Sequence, residues 1–217
     1  PLRGVATPVA SVAAAPRMTA AEALRTPQFA ALALAHFACC AAHSGPIFHM
    51  VTYAIGCGIS AMTAVSVYSV AGLSGLGGRL LLGVASDRLG AKPVLVVGLA
   101  VQALAAGTYI FVGQLGEFYA LAVVFGSAYG GVMPLYAILA REYFGPHIMG
   151  TTFGAISMAA SLGMAFGAWA GGYVFDAYAS YSLLYIGSFT VGLATVAVAL
   201  TFKPVPAAAK LRAAAKA

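Results

Sequence analysis

Residues Gly78 to Leu95 read GRLLLGVASDRLGAKPVL, a stretch that joins the end of one long apolar run to the start of the next. It carries an arginine inside the first run, Arg79, followed by a charged turn spaced Gly83-x-x-x-Asp87-Arg88-x-Gly90-x-Lys92. The charges of the turn fall where the chain leaves the apolar phase, so water can solvate them. Gly83 is small enough for a neighbouring helix to approach closely, and Gly90 can take the positive φ that ends a helix. An ordinary charged hairpin between two spans would need much the same residues. Arg79 is a different matter. It precedes Asp87 by eight residues, which places it about 12 Å deeper, not far from the middle of a hydrocarbon core about 30 Å thick. From that depth its side chain must face the bundle interior, a watery cavity or a partner. No acid in the sequence lies at a comparable depth. Two readings follow. In one, the planar guanidinium waits for a substrate carboxylate, which it matches with two parallel hydrogen bonds; in the other it pairs structurally with an acid on protein outside this chain.

Composition fixes the solvent. Hydrophobic residues make up 62% of the 217 and charged residues 7%, with a mean hydropathy of +0.94. A soluble domain could not carry that surface, so an integral membrane protein is expected, with the lipid bilayer as its surroundings. Cys39, Cys40 and Cys57 fall in or at the end of one apolar segment at spacings that suggest small packing residues rather than disulfides or metal ligands. The sequence starts at Pro1 without a signal peptide, and a piece of a longer chain is expected.

The order along the chain is regular. Pro1 to Pro16 reads as an Ala/Val/Pro-rich tether, and Thr19 with Glu22 forms a capping box for a short surface helix, Ala20 to Arg25. Residues 1–26 therefore form a cytoplasmic approach, 27–203 a six-helix transmembrane domain and 204–217 a basic tail. The spans are expected from Pro27, behind the cap Thr26, to about Ile55, then about Ser60 to Ser86, Pro93 to Val112, Phe118 to Ala140, Met149 to Val174 and Leu183 to Phe202. Gln114 to Glu117, Arg141 to His147 and Asp176 to Ser182 are expected as turns or loops, and Gly45-Pro46 as a bend in the long first span. Gly163, Gly167 and Gly171 line a close-packing stripe.

Charge orients the whole. With the start inside, Arg3, Arg17, Arg25, Arg88, Lys92, Arg141, Lys203, Lys210, Arg212 and Lys216 all lie on one side, and the opposite loops carry no Lys or Arg. Both ends are therefore expected in the cytoplasm, with the protein a multi-pass component of the cell membrane. The net charge of +6 is spread along one face without an aromatic-interleaved patch, which argues against nucleic acid as a partner.

The turn resembles the loop signature of the major facilitator superfamily. Six spans, a preceding tether and the signature after the second span look like the C-terminal half of a twelve-helix facilitator, an all-α membrane fold in which this chain is one half and the N-terminal six helices are its partner. The resemblance implies that Asp87 docks on the N-terminus of a helix of the opposite half and holds one face closed, with Gly83, Arg88, Gly90 and Lys92 completing the gating motif. Gly78-Arg79-Leu-Leu-Leu-Gly83 resembles the Ala-Arg-Pro-x-x-Gly of the monocarboxylate transporter and oxalate:formate antiporter branch, whose arginine binds the substrate carboxylate. Tyr143-Phe-Gly-Pro-His147 and Phe153-Gly154 are similar to that branch too. The sequence departs from it where proton-coupled carriers have an aspartate one turn before the arginine, since Gly75 stands there, and where the oxalate type has a lysine in the fifth span, Met149 to Val174 having none.

The expected function is alternating-access transport of a small organic anion, a monocarboxylate, bound by Arg79 at the midplane. His49 and Tyr129 are the other candidate substrate contacts. The facilitator cavity is lined by the first span, so His49 is either a proton-carrying imidazole or a polar residue bonded between helices; Tyr129 sits in Gly126-x-x-Tyr129-Gly-Gly131, where small neighbours leave room. His36 and His43 share a face about 10 Å apart, too far to bind one metal, and no cofactor is expected. Two alternatives remain: a facilitator of another small solute with Arg79 structural, or a scaffold subunit that transports nothing. An intramembrane enzyme is not expected, because the five acids lie near the membrane faces and no catalytic dyad sits at depth.

Overall fold

The computed structural model describes residues 18–204. The tether of Pro1 to Pro16 and the tail beyond residue 204 lie outside the described residues, together with Arg3, Arg17, Lys210, Arg212 and Lys216. Within them all regular structure is helical. Helix α1 (Ala20–Leu24) begins with the expected capping box: the Glu22 carboxylate accepts from the Thr19 N–H at 2.8 Å, and the Thr19 hydroxyl accepts from the Glu22 N–H at 3.3 Å. The Thr19 backbone N–H first, and then the Thr19 side chain, hold the Glu22 carboxyl below its ordinary pKa.

Six helices long and apolar enough to cross a membrane follow. Helix α2 (Pro27–Gly56) starts where Thr26 accepts from the Phe29 N–H at 3.1 Å, and it runs through Pro46 as one helix. Helix α3 (Ala61–Leu89) is capped by Ser60, and α4 (Ala91–Thr108) is extended by a 3₁₀ turn over Tyr109–Phe111. Helix α5 (Leu115–Phe144), a second 3₁₀ turn (Pro146–Ile148), α6 (Met149–Tyr178) and α7 (Ser182–Leu200) complete the order.

The connections are shorter than the sequence suggests. Asp87 and Arg88 occupy the last turn of α3 and Lys92 the first turn of α4, so the charged turn shrinks to Gly90. Arg141 to Phe144, expected as loop, finish α5; Gln114 and Glu117, expected as a turn, cap its start; Asp176, also expected in a turn, lies in α6, which stops at Ala179 with φ 49°. Hydropathy marks where lipid ends, whereas a helix ends where its backbone bonds run out, and charged residues are good helix formers in water.

Gly90 has φ 90° and ψ 150°, a combination that L side chains avoid, and its N–H donates to the Ser86 carbonyl at 2.8 Å. Gly90→Ala is expected to cost about 1–3 kcal/mol, read as a lower melting temperature of the intact protein in detergent. Gly83→Ala, where no heavy atom lies within 4 Å of the added Cβ, should leave that temperature nearly unchanged. Gly83 therefore meets no neighbour among the described residues, contrary to the close approach expected for it.

Packing is closest between α2 and α6 and between α3 and α5. Both seams are made of small residues. Gly163 and Gly167 face the carbonyls of Phe37 and Ala41, as the glycine stripe of α6 predicts; Gly126 faces the Ala71 carbonyl, and Gly130 lies on the backbone of Gly75. Exchanging the first three spans for the last three turns the α2–α6 seam into α5–α3 and the α2–α7 contact into α5–α4, both of which occur. A unit of three spans starts its copy on the opposite side of the membrane, so the two units form an inverted repeat.

Two apolar clusters fill the bundle. One holds Leu32, Leu95, Leu99, Leu135 and Leu139; the other holds Met50, Val67, Tyr109, Phe125 and Tyr185. On three of the helices the residues between the clusters include buried polar groups: His43 and Ser44 on α2, Gln102 on α4 and Ser188 on α7. A polar layer thus crosses the bundle at mid-depth. Helices α3 and α6 are the least buried of the six, with Leu73, Leu76 and Leu80 exposed on one and Leu162, Phe166 and Trp169 on the other.

Candidate functional site

The seam of α3 and α5 aims Arg79. Gly78 is pressed against the Ser127 backbone so tightly that a Cβ would collide with its carbonyl. That contact fixes the face of α3 turned to α5 and leaves Arg79, the next residue, on the open side. Arg79 makes no hydrogen bond or ion pair among the described residues. The five acids all lie far along the chain from mid-span positions: Glu22 on α1, Asp87 in the last turn of α3, Glu117 in the first turn of α5, Glu142 near its end and Asp176 near the end of α6.

Next to this helix a cavity of about 180 Å³ is lined by His43, Ser44, Ile47, Phe48, Tyr68, Tyr129 and Met164. Tyr129 forms its inner wall. Its ring stacks on His43 with centroids 5.4 Å apart and lies 5.7 Å from Phe125, and the Arg79 and Tyr68 side chains are within its electrostatic reach. A Cβ at Gly75 would stand 3.6 Å from the Tyr129 hydroxyl and 3.3 Å from the Gly126 carbonyl. The tight neighbour of a side chain one turn before Arg79 is therefore the α5 backbone at Gly126, with the Tyr129 hydroxyl in ordinary contact behind it.

His49 lies elsewhere. Its Nε2 is 3.1 Å from the Ala168 carbonyl of α6 and its Nδ1 is 3.3 Å from the Tyr181 hydroxyl. A carbonyl can only accept, so Nε2 carries the proton and Nδ1 accepts from Tyr181. The ring is covered by Gly171, where any Cβ would strike it. The structure thus brings Arg79 and Tyr129 to one side of the bundle and ties His49 into the α2–α6 seam.

The charged residues around Gly90 are split between two jobs. Asp87 and Arg88 are exposed at the end of α3. Lys92 points the other way: its Nζ donates to the Leu200 carbonyl at 3.0 Å and to the Phe202 carbonyl, closing the C-terminus of α7 where a cation opposes the helix dipole. Tyr143 donates to the Lys203 carbonyl at 2.7 Å, and the Gln28 side chain accepts from the Lys203 N–H at 3.1 Å. Lys92→Met is expected to remove about 1–2 kcal/mol, observed as faster hydrogen exchange confined to the last turn of α7.

A model of the Major Facilitator Superfamily matches residues 3–168 and 78–217, which together take in nearly all of the chain. The chain belongs to the major facilitator superfamily. It is 28% identical over 67% of its length to "Uncharacterized MFS-type transporter YhjX" of Escherichia coli K12, and 37% identical over 44% of its length to "Probable transporter MCH1" of Candida albicans. An MFS-type transporter of Aspergillus fumigatus is 25% identical over 64% of the chain. The aligned parts cover 37%, 20% and 32% of those proteins, so this facilitator chain spans well under half the length of the curated relatives it matches.

The polar layer adds Ser44 and Gln102, which the sequence reading passed over, to the His36, Cys39 and His43 that it named. His43, Ser44, Cys39 and Gln102 are buried together with His36. A signal was present: His36, Cys39, Cys40, His43 and Ser44 recur at the spacing of one helical face in an otherwise apolar run.

Proposed function

We propose that this chain is the C-terminal six-helix half of a twelve-helix secondary transporter, and that it carries a small organic anion, a monocarboxylate, by rocking against the N-terminal half. Arg79 carries the reading: a guanidinium at mid-span, on the open side of its helix, within electrostatic reach of Tyr129 and without an acid partner among the described residues. One carboxylate would satisfy its fork. Tyr129 would shape the other side of the substrate, and the exposed apolar faces of α3 and α6 would be covered by the opposite half and by lipid.

Asp87 supports the gating part of this reading. An acid in the last turn of a helix is repelled by its own dipole, and the N-terminus of a helix in the other half would turn that repulsion into attraction. With Arg25, Arg88, Lys92, Arg141 and Lys203 on one side, that face would be the cytoplasmic one of a cell membrane. The test is uptake of labelled lactate, pyruvate, formate and oxalate by vesicles containing the intact protein. Transport of one acid that depends on Arg79 supports the reading. Transport of an uncharged solute alone, or transport of an acid indifferent to Arg79, would replace it with a facilitator in which the arginine is structural.

A further inference from the structure

At the end of the bundle opposite the basic one, the C-termini of α2 and α6 and the turn into α7 enclose a second and larger cavity, of about 420 Å³. The rings of Tyr53, Phe175 and Tyr181 form its walls, together with Thr52, Cys57 and Ser180. Tyr181 stacks on Phe175 with centroids 4.5 Å apart and meets Tyr53 at 6.0 Å and 85°, so the rings make a corner. Thr52, Phe175 and Ser180 are exposed and form the rim, whereas Tyr181 is buried.

Two of these rings have hydroxyls already committed to protein. Tyr53 shares its hydroxyl hydrogen between the carbonyls of Tyr109 and Val112, both at 3.1 Å, and Tyr181 donates to His49 Nδ1 at 3.3 Å. What remains for a ligand is the ring faces, whose negative π charge attracts cations. Behind this wall stands Tyr185, fully buried, its ring 5.1 Å from that of Tyr53 and its hydroxyl within electrostatic reach of Tyr181 and Cys57. That hydroxyl has no hydrogen-bond partner among the described residues, and a buried polar atom without one calls for an explanation.

Charge at this end has one sign. Arg25, Arg88, Lys92, Arg141 and Lys203 lie at the opposite end and Arg79 at mid-span, so no lysine or arginine among the described residues is near. Two acids share the end. Glu117 accepts from the N–H groups of Gly113 and Gln114. Asp176, the residue after Phe175, makes no hydrogen bond or ion pair among the described residues. It stands in the last turn of α6, where the helix dipole repels it, and within electrostatic reach of Tyr181.

We propose that this cavity is a binding site for a small organic ammonium ion, held against the rings of Tyr53, Phe175 and Tyr181 with Asp176 as its counter-ion. An ammonium N–H directed inward gives the Tyr185 hydroxyl oxygen the partner it lacks. An anion is opposed by Asp176 and by the ring faces, and an uncharged apolar molecule fills the volume but leaves Asp176 unpaired. The site is separate from Arg79 and does not depend on what Arg79 binds.

Cys57 reports on occupancy, because the other two cysteines, Cys39 and Cys40, are 0% and 1% exposed. The experiment follows alkylation of Cys57 by N-ethylmaleimide in the intact purified protein by mass spectrometry. Phenethylammonium, phenethyl alcohol and hydrocinnamate, three probes of similar shape and different charge, are added in turn. The ammonium is expected to protect Cys57 at a concentration about fivefold or more below that of the alcohol, and hydrocinnamate to give no protection. Asp176→Asn, a change at an exposed position, should erase most of that advantage, and Phe175→Leu should weaken the ammonium about threefold. Without a probe, Cys57 should react in both variants at the wild-type rate. Equal protection by ammonium and alcohol identifies an apolar cavity and overturns the cation site. Protection indifferent to Asp176→Asn, or no protection of a freely reacting Cys57, overturns it too. Should Cys57 prove unreactive, equilibrium dialysis of labelled phenethylammonium against wild type and Asp176→Asn makes the same comparison. Each of these outcomes leaves the carboxylate reading of Arg79 where it stood.

Discussion

Arg79→Ala is expected to lower carboxylate uptake by about 100-fold or more, the largest effect of any single side-chain substitution in this chain. Two parallel charge-assisted hydrogen bonds are worth at least about 3 kcal/mol, and about 1.4 kcal/mol corresponds to tenfold. Arg79→Lys keeps the charge but loses the fork, so one of the two bonds goes and uptake falls about tenfold. The alanine variant should nevertheless insert and elute like the wild type, because Arg79 makes no hydrogen bond or ion pair that holds this bundle together among the described residues. Initial rates in vesicles at matched protein amounts check the series. A graded loss, Lys less than Ala, identifies an interaction that scales with the number of bonds to the anion. Equal uptake in all three proteins would make the arginine structural. Collapse of the folded peak in the alanine variant would instead assign it to an ion pair with the opposite half.

The sequence reading succeeded where the chemistry is local. Thr19 with Glu22 and Thr26 with Pro27 each mark a helix start, because a side-chain oxygen at the cap needs only residues three positions away. The glycine stripe of α6 was readable for a related reason: packing of two apolar helices leaves small residues as its trace. The site was harder. His43 and His49 lie six residues apart, which puts them about 120° apart around a helix. In a water-soluble protein the polar side of the helix would say which of them faces a cavity, but α2 is apolar nearly all round and crosses lipid, so that guide is lost. The answer came from the neighbours, Tyr129 over His43 and Gly171 over His49. Gly83 and Gly78 pose the same problem. The motif singled out Gly83, which is open within this chain, while Gly78 bears the helix contact.

Gly78→Ala is expected to destabilise the protein by about 3 kcal/mol or more, and the same change one residue earlier, at Gly77, by none. Alanine at either position gains up to about 1 kcal/mol of helix propensity, so the difference between them isolates the packing. At Gly77 no heavy atom stands within 4 Å of the new Cβ. At Gly78 the obstacle is the Ser127 carbonyl, and backbone cannot turn aside as a side chain can. The α3 and α5 helices would have to separate along a seam that also includes Gly126 on Ala71 and Gly130 on Gly75. Overpacking of a flexible core costs about 1–3 kcal/mol, and this site has less freedom to yield. The separation would also carry Arg79 away from Tyr129, so the surviving folded fraction should bind a carboxylate more weakly than Gly77→Ala does. Melting temperatures of the intact protein in detergent, followed by gel filtration of the two variants side by side, give the comparison. If Gly78→Ala proves as stable as Gly77→Ala, the two helices do not meet at this distance and the orientation of Arg79 must be set by some other contact.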